Sequence, residues 1–144
     1  MHAQTLKNLY TAMRGEAFAY GRYLLFAEQA QRNGRPELAE VFEHAAYVER
    51  CEHFAQEAEL AQMVGSDQVN LQKAITAESY DADAMYADFA RQAAEVGDKA
   101  AAARFADIRR EIARQRDTFL AALRHLDSSE RNEDTALGNL LATG

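Results

Sequence analysis

Tyr23–Gly34 reads YLLFAEQAQRNG, and Tyr86–Gly97 reads YADFARQAAEVG. Tyr23/Tyr86, Phe26/Phe89, Ala27/Ala90, Gln29/Gln92, Ala30/Ala93 and Gly34/Gly97 are identical pairs, and Phe42/Phe105 extends the set at the same spacing (86 − 23 = 63). A fixed spacing held over this length is the mark of a duplicated unit. The unit is a helical hairpin, because helix-period apolar residues run up to an Asn-Gly or Val-Gly stop and resume beyond it. Two such hairpins predict an all-α four-helix bundle, in which inward-facing side chains of all four helices can build one site. Glu16 and Glu78 are 62 apart (78 − 16), so the second copy carries one extra residue between its acid and its tyrosine.

The composition agrees. Proline occurs once and tryptophan is absent in 144 residues, and the common residues are good helix formers. A net charge of −7, with no basic run, argues against nucleic acid as a partner. No apolar stretch approaches the roughly 20 residues of a membrane span. The start, MHAQTLKNLY, lacks a signal-peptide pattern, and the lone Cys51 offers no internal disulfide. A cytoplasmic protein is expected.

The spacing predicts helix one from Thr5 to Arg32 and helix two from Pro36 to a stop at Gly65. A link over Ser66–Asn70 precedes helix three, Leu71–Glu95. Helix four carries the stripe Phe105, Ile108, Ile112, Gln115, Phe119, Leu123, Leu126. The bundle domain is residues 1–127. Residues 128–144 read as a flexible tail, with the polar run SSERNED leading to the apolar patch Ala136–Leu141.

Acids interrupt the inner stripes. Glu16 lies between Met13 and Tyr20, and Glu49 between Ala46 and His53. Glu78 and Asp81, three apart, share a face of helix three. Carboxylates on apolar faces are costly unless paired or metal-bound. Four of them converging therefore suggest a cation, and oxygen-rich ligands with an imidazole suit iron or manganese. Glu52 and His53, three and four residues after Glu49, compete for one ligand role, and spacing does not choose between them.

Beside this reading stands a resemblance. Asn8–Ala17, ending Met13-Arg-Gly-Glu16-Ala17, is similar to the first-helix metal motif of the rubrerythrin family, the ferritin-like branch built from a duplicated hairpin. Leu38–Phe42 followed by Glu49 resembles the approach to its second ligand, and Ala77–Asp81 with Met85–Ala90 resembles its third-helix motif. The likeness spans roughly residues 5–126. It implies a ferritin-like fold, a non-haem iron centre, reaction with peroxide or dioxygen under oxidative stress, and a homodimer. Departures accompany it. The family's fourth-helix Glu-x-x-His slots hold Ile112 and Gln115, its helix-two histidine slot holds Glu52, and no rubredoxin-like module follows. The implied ligands are thus Glu16, Glu49, Glu52 or His53, Glu78 and Asp81, holding one or two irons (or manganese) per chain. An external electron donor would be needed.

Two functional classes follow: an oxidoreductase with a modified, single-metal site, or a metal-free ferritin-like scaffold that has kept only the bundle. Arginines of helix four, Arg109 and Arg116 foremost, can neutralise leftover acids in place of a metal or can simply face solvent. Leu137-Gly-Asn-Leu140 in the tail also resembles the targeting peptides of encapsulin cargo, which would make a shell protein a partner.

Overall fold

The computed structural model describes residues 1–142, with side chains through Ser128. The architecture is all-α and of the ferritin-like class, with no strand among the described residues. The elements are α1 (Ala3–Arg32), α2 (Pro36–Val48), a π-helical turn π1 (Glu49–Phe54), α3 (Ala55–Leu60), α4 (Asp67–Tyr80), a second π turn π2 (Asp81–Met85), α5 (Tyr86–Glu95) and α6 (Lys99–Ala142). They form two compact units, one up to Val64 and one from Gly65 onward. In the first, α1 packs on α2, π1 and α3; in the second, α6 packs on α4, π2 and α5. Each unit is one copy of the predicted hairpin.

The repeated residues close the hairpins. Tyr23, Phe26 and Phe42 form an aromatic trio with ring centroids 5.4–6.4 Å apart. Tyr86, Phe89 and Phe105 form its copy at 5.7–6.1 Å. Ala27, Ala30 and Ala39 are buried beneath Phe42, and their small side chains let the helices approach closely. Gly34 and Gly97 occupy the left-handed region, with φ of 67° and 87°. Around each, the two bonds of a Schellman turn satisfy the last carbonyls of the helix. Arg35 donates to the Ala30 carbonyl and Gly34 to that of Gln31; Asp98 donates to Ala93 and Gly97 to Ala94. A Cβ at Gly34 would meet nothing within 4 Å, so the conformation alone demands glycine. Gly34→Ala is expected to lose about 1–2 kcal/mol in urea unfolding, from φ strain without a clash; an unchanged midpoint would refute this.

Three predicted boundaries move. α3 ends at Leu60, before the expected Gly65 stop, because Gln62 takes the left-handed turn position (φ 50°). Met63 donates to Ala58 and Gln62 to Glu59, repeating the Schellman pattern without a glycine. α4 starts at Asp67, ahead of Leu71, because the Ser66 hydroxyl caps it by accepting from the Val69 amide. α6 runs to Ala142 through the segment read as a linker, where no glycine or proline intervenes before Gly138. The apolar patch Ala136–Leu141 lies outside the residues whose side chains are described.

The second π turn also explains the 62-versus-63 offset. A π turn accommodates one residue more than an α turn. π2 lies between Glu78 and Tyr86 and absorbs the extra residue. Tyr86 is thereby returned to the register of the aromatic trio.

Candidate metal centre

π1 lies on the helix facing α1, one end of it formed by Glu49. In a regular helix, at about 100° per residue, residues 52 and 53 would straddle the direction of Glu49, about 60° to one side and 40° to the other. The wider π turn swings residue 52 away and keeps residue 53 nearly above residue 49. His53 Nδ1 accordingly sits 2.9 Å from Glu49 Oε2, and 3.7 Å from Glu16 Oε2 across the hairpin. Glu16, Glu49 and His53 each offer one ligand atom, all within 4.8 Å of one another. Glu52 is exposed and outside this group. Of the two residues that spacing left open, His53 is the one the structure brings beside Glu49 and Glu16.

The trio is electrostatically coupled. Glu16 and Glu49 share a hydrogen bond, which raises the Glu16 pKa and lowers that of Glu49. Partial burial raises Glu16 further, while His53 helps hold Glu49 ionised. The Glu49 hydrogen bond raises the His53 pKa above that of a free imidazole. Arg22, stacked over the Phe18 and Tyr23 rings at 5.6 and 5.3 Å, also favours the Glu49 carboxylate. The raised values of Glu16 and His53 favour keeping a proton among the three groups, at the place where a cation would bind. Glu49 and Glu16 are 18% and 26% exposed against 53% for His53, so the carboxylates form the floor and the imidazole the rim.

The second hairpin places its candidates differently. Glu78 and Asp81 are half-buried near the junction of α4 and π2. On α6, the residues corresponding to Glu49 and His53 are Ile112 and Gln115, once the residue added by π1 is allowed for. Neither can supply a carboxylate or imidazole. Arg109 and Arg116 do reach the third helix, but they bind the π2 turn rather than the two acids. Arg109 Nε donates to the Ala82 carbonyl at 2.8 Å, and Arg116 donates to Asp83 at 3.1 Å. Arg110 pairs with Asp107 on an exposed face.

A sequence profile described as Rubrerythrin matches residues 7–53, a stretch that begins in α1 and ends on His53. A rubrerythrin of Porphyromonas gingivalis is 33% identical over 150 residues, covering 93% of this chain and 74% of that protein. The chain belongs to the rubrerythrin family. Nigerythrin of Nitratidesulfovibrio vulgaris is similar at 28% identity, over 88% of this chain and 69% of its own length. Reverse rubrerythrin-1 of Clostridium acetobutylicum is 38% identical over 77 residues, which cover 52% of this chain and 42% of that protein. Rubrerythrins bind non-haem iron at a di-iron site. The donor set of the first hairpin, two carboxylates and an imidazole, has the chemistry such a metal prefers; in the second hairpin Glu78 and Asp81 are carboxylates too, and Ile112 and Gln115 add neither a third nor an imidazole. No helix among the described residues is long and apolar enough to cross a membrane.

Proposed function

We propose that this rubrerythrin holds one iron per chain (manganese being the chemical alternative) in its first hairpin, and reduces peroxide or dioxygen with electrons from an external donor. The observation that supports this most directly is the convergence of Glu16, Glu49 and His53 within 4.8 Å. Ile112 and Gln115 support the single-metal form, since they leave Glu78 and Asp81 without ligand partners on α6. Bound iron supplies Lewis-acid and redox chemistry toward an oxygen substrate. Glu49 orients the His53 ring through Nδ1. Glu16, whose pKa is raised in the metal-free site, would give up its proton on binding the metal. A homodimer, common in the family, is the expected assembly.

The test is metal per chain after anaerobic loading with iron or manganese, with the thermal midpoint of apo and loaded protein as a function of pH. Near one metal per chain supports the reading. No uptake and no shift would leave the metal-free scaffold, because a ligand bound only by the native state must stabilise it. The pH dependence has a definite sign. The His53 proton, held above its unfolded pKa, stabilises the apo protein below about pH 6.5, and this contribution is lost as pH rises through the raised value. Metal competes for the same group, so loading is expected to release protons and to weaken on acidification. The midpoint difference between loaded and apo protein should widen from about pH 6 to 8. A pH-independent difference would mean that His53 is not displaced from its proton.

A further inference from the structure

Glu57 belongs to none of the motifs discussed so far, yet it lies four residues beyond His53, one turn further along the same face. It sits on α3, which packs against α1 as π1 does. Its Oε2 is buried and has no hydrogen-bond partner, the one such side-chain atom among the described residues. A buried carboxylate oxygen without a donor is unfavourable unless a proton or a cation meets it. The Glu57 charge also acts on Glu16 across the hairpin, adding to the effects that keep the Glu16 proton on.

The internal repeat provides an independent comparison. With the π1 residue allowed for, His53 corresponds to Gln115 and Glu57 to Phe119. Phe119 lies on the inner stripe of α6 and lines an apolar cavity with Leu71, Ala74 and Leu126. The second hairpin thus uses this position for apolar packing, whereas the first places an acid there. Apolar packing of the kind Phe119 makes does not call for an acid here.

We propose that Glu57 is a further metal-binding carboxylate, entering the coordination of the metal held by Glu16, Glu49 and His53 through its unpartnered oxygen. In the metal-free arrangement Glu57 stands outside the group of three. Entry into the coordination would require rotation about its χ angles toward His53 and Glu16, one turn away. It would add a third carboxylate to the two of the first hairpin. This inference rests on the metal-binding reading above.

The test is competition with a chelator for Mn(II) and anaerobic Fe(II), using the full chain, Glu57→Gln, Glu57→Leu and the exposed control Glu52→Gln. Glu57→Gln is expected to weaken metal binding about tenfold or more, the range of changes around metal sites, while the apo thermal midpoint stays level or rises. Glu57→Leu should raise the apo midpoint, as an apolar residue at the position of Phe119, and lose affinity at least as far. Wild-type affinity in both variants would overturn the proposal, as would a drop in apo stability that accounts for the weakened binding. Failure of the wild-type chain to bind either metal would overturn the metal-binding reading itself. Binding by wild type and both Glu57 variants alike overturns only the Glu57 assignment.

Discussion

His53→Ala is expected to weaken metal binding by at least about a hundredfold, because outer contacts alone typically contribute about 10–100-fold. Glu52→Gln should leave it unchanged. The decisive variant adds Glu52→His to His53→Ala. That double variant writes the family's Glu-x-x-His spacing from Glu49, and by motif it ought to restore the site. By structure it should not, because π1 turns residue 52 away from Glu16 and toward solvent, while residue 53 lies 2.9 Å from Glu49. Chelator competition on the four proteins reads the result directly. Recovery of affinity in the double variant would show that the helix relaxes to α when the imidazole moves, so that π1 follows the ligand rather than placing it. Loss in Glu52→Gln would return Glu52 to the ligand set.

Phe42→Ala is expected to lower stability by about 2–4 kcal/mol, below the about 3–5 kcal/mol of a buried phenylalanine, because Phe42 is half-buried. It stands 5.4 Å from Phe26 and 6.4 Å from Tyr23, over the buried Ala27, Ala30 and Ala39. Truncation removes both ring contacts, worth about 0.5–1.5 kcal/mol each beyond area, and opens space that alanines cannot fill. Phe105→Ala should behave alike through Tyr86 and Phe89. Leu25→Ala, at a side chain 64% exposed, serves as the control and should stay within about 0.5 kcal/mol. Urea unfolding measures all three. Equal effects at Phe42 and Leu25 would show that the trio does not close the hairpin.

These two predictions draw on different parts of the chain. The residues identical between the copies, Tyr23 through Phe42 and Tyr86 through Phe105, turn out to be those of the hairpin end: aromatic trio, small buried alanines and left-handed glycines. The site lies away from them, where the copies differ: Glu49 against Ile112, His53 against Gln115 and Glu57 against Phe119. Repetition therefore revealed the scaffold, and apart from the acid shared as Glu16 and Glu78 the candidate site residues fall where the copies differ. The carboxylates at Glu16 and Glu49 were legible because an acid interrupts an apolar stripe. Glu57 was passed over because exposed acids surround it in sequence, and only burial of one oxygen sets it apart.

The amino-acid pattern by itself determined the all-α class, the two hairpins, their glycine stops and the membership of Glu16 and Glu49 in a candidate centre. These rest on periodicity and on φ restrictions, which are properties of neighbours along the chain. Helix starts set by side-chain caps, the Gln62 stop and the continuation of α6 through Asp134 were less legible, since weak local preferences compete there without glycine or proline to decide. That His53 rather than Glu52 lies beside Glu49 and Glu16 was visible only in the tertiary structure. Both residues lie within reach of Glu49 in an ideal helix, and the difference is one inserted residue taken up as a π turn. π1 and α3 pack on α1, and no count of residues along the sequence shows where a helix takes up an extra one.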